Sequence, residues 1–317
     1  MSTILITGGS GYLGRHLASK LRECGRVVIG ARNQANLQRA AQSAGVDSVP
    51  LDVSNIESIR DAVIDVAPDI LIHAAASKFV DLAENQSLEC VDVNVLGSQN
   101  VARVAIASDV ELVVGVSTDK AAPPCANIYG LTKALMERMF TSLDNRGSTR
   151  FACVRGGNIT WSTGSVLPIW KRMLENNRVI ESTGPDMSRF FFSVDEAADL
   201  VITAVDNPGL VAGRILACEM RAAEMRRILD IWTTRVGAEW KQIEARPGDQ
   251  SDQSLIGLSE LPSAEIVAIH GRDHYLISPN ATHDRPLTQP VSAKTSKQLT
   301  DYEIQQILDD QPPEDLW

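Results

Sequence analysis

The stretch TILITGGSGYLG, residues 3–14, constrains the fold of this chain more than any other. Apolar residues of strand character run into Gly8, Gly11 and Gly14, and an amphipathic run over 12–23 follows at once. Glycines so placed between a strand and a helix permit a tight turn. They also bring backbone N–H groups against a diphosphate and let the helix pack closely on the strand. A glycine triplet alone is weak evidence, because it also serves as a structural turn. With a strand before it and a helix after it, this one predicts a dinucleotide site opening a parallel α/β sheet. Gly8, Ser10, Gly11, Tyr12, Leu13 and Gly14 are the residues expected to face the cofactor.

The periodicity beyond that turn agrees. Residues 27–31, 69–76, 111–117 and 151–159 are nearly all apolar and read as buried parallel strands. Between them, 34–44, 55–66 and 90–107 carry helical spacing. This alternation predicts a doubly wound parallel sheet, a Rossmann fold, with right-handed crossovers. Residues 1–160 are read as a dinucleotide-binding domain that also holds the catalytic residues. Residues 161–317 are less regular and are read as a smaller substrate-binding region interleaved with the first. There RFFFSVDEAADLVITAV reads as a strand or loop entering a helix, GRILAC as a short strand and RAAEMRRILDIWTTRVG as a helix. From about residue 280, clustered Pro, Ser and Thr suggest a partly extended strap.

Composition excludes several classes. Forty acidic against 30 basic residues, a net charge of −10, disfavours nucleic acid and anionic membranes as partners. There is no basic stretch leading into an apolar run with a cleavage site, and no apolar run of membrane-spanning length. Five scattered cysteines (Cys24, Cys90, Cys125, Cys153, Cys218) form no CxxC and suit a reducing cytoplasm. Neither they nor the five histidines show metal-ligand spacing, so no metal is expected.

A second stretch, VSTDKAAPPCANIYGLTK at 116–133, carries the chemistry. Tyr129 and Lys133 are four apart, on one helical face. Such a pair arises by chance in many helices; here it follows an apolar run of a glycine-turn domain. The T-G-G-x-G-x-x-G spacing and Tyr-x-x-x-Lys together resemble the extended short-chain dehydrogenase/reductase superfamily. The resemblance implies that Tyr129 is the acid/base on a substrate hydroxyl. It implies that Lys133 lowers the pKa of that tyrosine and holds the nicotinamide ribose, and that Thr118 hydrogen-bonds the substrate oxygen. It also places Asp52 and Val53 of LDVSN beside the adenine, and Ala74, Ala75 and Ala76 of HAAAS against the cofactor. Arg32 stands where NAD-preferring members carry an acid, and a guanidinium can pair a 2′-phosphate. The expected cofactor is therefore NADP, with NAD the alternative; as an ordinary surface residue, Arg32 would carry no such meaning.

The residues after Thr118 narrow the resemblance. Thr118-Asp119-Lys120 is similar to the Ser-Thr-Asp-Lys segment of C5-inverting UDP-N-acetylglucosamine 4,6-dehydratases of the polysaccharide biosynthesis dehydratase family. HAAASKFVDLAENQSLECVDVNVLGSQNV, VRGGNITWSTGSVLPIWKRM, DMSRFFFSVDEAADLV and RPGDQSDQSLI resemble further segments of that family. The resemblance implies a lyase that oxidises C4 of a UDP-GlcNAc-like sugar, eliminates water across C5 and C6, and returns the hydride to C6. Lys120 would be the C5 base and Asp119 the acid for the leaving hydroxyl. Lys78, Asn158, Arg189 and Arg246 would contact the nucleotide sugar. Departures are a loop at Cys125 longer by one residue, Asp249 with the Gln-Ser-Asp-Gln after it, and Trp161 and Thr163 beside a glycine loop. Two alternatives stay open: a 5,6-dehydratase returning hydride to C4, and a non-catalytic NADP-binding regulator of the same fold. Superfamily members usually pair through helices equivalent to 90–107 and 129–145, so a homo-oligomer built on a four-helix bundle is expected.

Overall fold

The apolar runs of the N-terminal half become parallel strands in the computed structural model, which describes residues 2–144, 147–245 and 248–313. The chain begins β1 (Thr3–Thr7), α1 (Tyr12–Leu21), β2 (Arg26–Ala31), α2 (Gln34–Ala44), β3 (Asp47–Pro50), α3 (Ile56–Val66) and β4 (Ile70–His73). It continues through α4 (Val80–Asn85), α5 (Ser87–Val91), a π-helical turn over Asp92–Leu96, α6 (Gly97–Ala107), β5 (Leu112–Thr118), α7 (Ile128–Leu143) and β6 (Arg150–Gly156). Next come β7 (Asn158–Ile159), α8 (Val166–Asn177), β8 (Val179–Ser182), β9 (Ser188–Phe192), α9 (Val194–Asp206), α10 (Pro208–Val211) and β10 (Ile215–Cys218). Last are β11 (Arg221–Glu224), α11 (Met225–Val236), β12 (Glu239–Gln242), β13 (Ser254–Ile256), β14 (Ala264–Ile269), β15 (Arg272–Ile277), β16 (Val291–Ser292) and α12 (Asp301–Asp309).

The main sheet has the order β14-β15-β10-β6-β5-β4-β1-β2-β3. Seven strands from β3 to β10 are parallel, and β15 and β14 close one edge antiparallel. The chain reverses its direction of winding between β1 and β4, and the crevice at the carboxyl ends of those strands is where such sheets take ligands. Local chemistry sets the helix ends. Asn33 and Asn55 cap α2 and α3 with side-chain oxygens, Gly45 ends α2 in the left-handed conformation, and Ser193 with Glu196 forms a capping box on α9.

Several expectations need correcting. DSVP forms an edge strand, β3, because it pairs with β2 and not because its residues favour strands. The helix read at 90–107 starts at Ser87 and widens into the π-helical turn. The strand read at 151–159 divides at Gly157: β6 stays in the main sheet and β7 pairs with β9. RAAE is strand β11, held by β9, and the helix begins only at Met225. The strap beyond residue 280 ends in a helix, α12. A second apolar core, built on Trp161, Trp170, Phe191, Trp232, Ile304 and Leu308, lies in the C-terminal half, and Tyr12 packs against it.

Candidate active site

A cleft of about 680 Å³ runs over the carboxyl ends of the central strands. All six glycine-turn residues expected at the cofactor line it: Gly8, Ser10, Gly11, Tyr12, Leu13 and Gly14. Gly8 has φ +69°, and a Cβ there would come within 2.7 Å of the Ala75 backbone. That contact presses the turn against the wall of Ala74, Ala75 and Ala76, which also line the cleft. Helix α1 starts at Tyr12 with no side-chain cap and no acid in its first turn, so its leading N–H groups and dipole suit an anion. Exposed Arg32 stands at the end of β2 on the same wall. Leu51 and Val53 also line the cleft, whereas the Asp52 carboxylate accepts from Ser54 N–H at 2.9 Å within its own loop. Among the described residues these features fit a dinucleotide.

Behind the alanine wall lies a buried hydrogen-bond chain. Ser98 Oγ donates to the Asn94 carbonyl at 2.6 Å, so it accepts from His73 Nε2 at 3.0 Å. His73 Nδ1 then accepts from Thr7 Oγ1 at 2.8 Å, and Thr7 Oγ1 accepts from Ala75 N–H at 3.3 Å. Burial, helped by the Lys133 charge, pushes the imidazole down to about 3. His73 is thus a neutral strut between the glycine-turn strand and the alanine wall. From the π-helical turn, Asn94 clasps both backbone groups of Ser77, at 2.8 and 2.9 Å, and donates to Thr132 Oγ1 at 3.0 Å.

The resemblance-derived catalytic residues come together at the end of β5. Buried Asp119 accepts through Oδ1 from Thr118 Oγ1 and from Lys120 Nζ, each at 3.0 Å. Lys120 Nζ also donates to Asn158 Oδ1 at 3.0 Å. Asp119 Oδ2 is buried and has no hydrogen-bond partner among the described residues. Helix α7, capped by Asn127, presents Tyr129 and Lys133 from its first turns to the same cleft. Burial raises the Tyr129 pKa and Asp119 raises it further, while a hydrogen bond with Thr118 lowers it. The Lys133 ammonium, buried beside Met136 Sδ at 3.2 Å, is itself pushed down to about 8.

The remaining expected residues divide. Lys78 lines the cleft mouth; the protein packed around it pushes its ammonium down to about 8, although its surface is still exposed to solvent, which weakens the effect. Asn158 and Arg189 also line the cleft. Arg246 lies outside the described residues. The Cys125 thiol donates to the Ala121 carbonyl at 3.3 Å and does not line the cleft. Unanticipated lining residues are Ser117, whose buried hydroxyl lacks a partner among the described residues, and Trp170, Met173, Met187 and Met225. Their apolar spacing reads as core in the sequence, and no motif distinguishes them.

A glycine turn at the head of a doubly wound sheet, with Thr118, Tyr129 and Lys133 converging on its cleft, defines an extended short-chain dehydrogenase/reductase. The chain belongs to the polysaccharide biosynthesis protein family, whose model matches residues 4–266. A Methanocaldococcus jannaschii protein described as an uncharacterized membrane protein is 30% identical over 324 residues, 96% of this chain and 95% of that one. The capsular polysaccharide biosynthesis protein CapD of Staphylococcus aureus is 30% identical over 86% of this chain, which spans 49% of CapD. Pen from Bacillus thuringiensis has a TM-score of 0.88 at 26% identity, over 98% of each chain. TunA, an NAD-dependent NDP-hexosamine 5,6-dehydratase of tunicamycin biosynthesis, has a TM-score of 0.68 at 20% identity, over 79% of this chain and 87% of that one, which speaks for the fold alone. Among the described residues no helix is long and apolar enough to cross a membrane.

Proposed function

We propose that this protein is a nucleotide-sugar dehydratase, a C5-inverting UDP-GlcNAc 4,6-dehydratase. One observation carries the reading: Thr118, Asp119, Lys120 and Asn158 form a hydrogen-bonded chain at a strand end beside Tyr129, so several proton-handling groups meet at one point. A simple C4 epimerisation needs only Tyr129 and a hydroxyl. An elimination needs in addition a base at C5 and an acid at the departing hydroxyl.

A nicotinamide dinucleotide along the glycine turn supplies a hydride acceptor for C4 and a donor for C6. The chain's own residues do the rest. Gly8 to Gly14 and Ala74 to Ala76 hold the dinucleotide, and Arg32 takes a 2′-phosphate. Tyr129, hydrogen-bonded with Thr118, removes the C4 hydroxyl proton. The C4 ketone acidifies the C5 hydrogen, which Lys120 removes as the C5–C6 double bond forms. Asp119 protonates the C6 hydroxyl as it leaves as water, and a solvent-derived proton added at C5 balances the hydride gained at C6 and gives the inverted configuration. Lys78, Asn158, Arg189 and Arg246 bind the nucleotide sugar. The 5,6-dehydratase reading rests on Cys125, whose thiol is turned to a backbone carbonyl away from the cleft. A non-catalytic regulator would not need Tyr129 and Lys133 together.

The test is product analysis in heavy water with UDP-GlcNAc and catalytic NADP. The expected proton spectrum shows a C6 methyl signal and deuterium at C5. Two vinyl protons would indicate the 5,6-dehydratase, a C4 epimer an epimerase, and unchanged sugar the regulator. Arg32→Asp is expected to reverse the preference for NADP over NAD. Retention of NAD alone by the native protein would overturn the cofactor assignment.

A further inference from the structure

Asp119 and Lys120 project from a single 3₁₀ turn, Asp119–Ala121, and a distant segment grips that turn. Gln253 is buried and donates from Nε2 to the Asp119 carbonyl at 3.1 Å. Its own carbonyl accepts from Ala293 N–H at 2.8 Å, which pins it to the C-terminal strap. Nearby, Gln250 Nε2 donates to the Pro124 carbonyl at 3.1 Å. Gly257 lies so close to Pro123 that a Cβ would fall 1.9 Å from its carbonyl oxygen. The same segment reaches helix α7: the Leu255 carbonyl and Glu260 both accept from Arg155, whose guanidinium also holds Glu137.

The Asp119 peptide is therefore held from both sides. Its carbonyl receives Ala122 N–H at 3.0 Å from within the turn and the Gln253 amide from outside. Rotation of that peptide would carry both side chains, because Lys120 Nζ spans Asp119 Oδ1 and Asn158 Oδ1. A neutral donor suits the position. A carboxylate at 253 would face a carbonyl oxygen and place an unpaired acceptor close to buried Asp119, whose Oδ2 already lacks a partner among the described residues.

We propose that Gln253 is a positioning residue that fixes the Asp119–Lys120 turn for proton removal at C5 and departure of the C6 hydroxyl; the proposal rests on the dehydratase reading above. Gln253→Leu removes the donor at similar volume, and Gln253→Glu replaces the donor with an acceptor. Two rates are measured for each in heavy water with UDP-GlcNAc: the transient of reduced nicotinamide, which reports C4 oxidation, and deuterium entry at C5. C4 oxidation is expected to stay within about twofold of wild type while C5 exchange falls about tenfold or more. Amide exchange at Ala122 is expected to accelerate in both variants, and this readout needs no turnover. Unchanged C5 exchange in both variants overturns the proposal. So does a parallel fall of the two rates in step with a lower melting temperature, which marks a structural role only. If wild type shows no C5 exchange at all, the dehydratase reading fails by itself. Ala122 exchange then decides whether Gln253 holds the turn, and unchanged exchange in the variants overturns that as well.

Discussion

Lys120 reaches two acceptors from the end of β5, and its stem is long enough to pass a C4 hydroxyl towards the neighbouring carbon. Lys120→Ala is expected to leave C4 oxidation in place and to reduce C5 deuterium exchange by about 10²- to 10⁴-fold, the range of a lost general base. Exchange at the wild-type rate under saturating substrate would leave Lys120 as a mere charge partner of Asp119. His73 makes a prediction of a different kind. Its folded pKa, about 3, lies below the ordinary 6.5, so between those values the unfolded chain binds the extra proton. Stability from this group is thus present above pH 6.5 and is lost as pH falls towards 3, by on the order of a few kcal/mol. Urea denaturation at pH 7 and at pH 4.5 should show a smaller acid loss in His73→Asn than in wild type. Equal losses would mean that His73 is not held neutral.

Elements that carry their own signal are the ones the sequence reveals. The strands β1, β2, β4, β5 and β6 are buried apolar runs, and α7 announces itself through Tyr129 and Lys133. What stays hidden depends on distant partners. The strands β3, β11 and β14 carry charged or exposed residues and exist because neighbours pair with them. Gln253 lies 134 residues from Asp119 and Glu260 105 from Arg155, so no local pattern could join them. The same logic makes Arg155 a test of how elements are tied. It brings β6, α7 and the segment around Glu260 together through a buried guanidinium between two carboxylates, at 2.7 and 2.8 Å. Arg155→Met strands two buried acids, with an expected loss of about 3–5 kcal/mol in urea unfolding. Adding Glu137→Gln and Glu260→Gln should recover much of it. A single substitution that costs nothing would show that the triad does not bind these elements.

At the scale of the whole molecule, α7 has two faces with different partners. Tyr129 and Lys133, four apart, look into the cleft; Leu131 and Leu135, two positions on from each, turn away from it. Leu131 is 54% exposed and Leu135 51%, and on the neighbouring α5 and π-helical turn Leu88 is 79% and Leu96 44% exposed. Helices α5 and α7 touch, so these leucines sit on neighbouring elements, and a monomer would leave each of them in water. This is the face through which the four-helix pairing implied by the resemblance would bury them. Each fully buried leucine is worth about 1.5–3 kcal/mol, and a two-fold pairing counts every position twice. Leu131→Glu with Leu135→Glu is therefore expected to weaken self-association by about 10³-fold or more, giving a monomer by light scattering at micromolar concentration. Because the substituted side chains point away from the cleft, affinity for the nicotinamide dinucleotide should stay within about threefold of wild type, a difference of less than 1 kcal/mol. Wild-type protein that is already monomeric under those conditions would overturn the pairing. A variant that stays associated would place the interface on another surface.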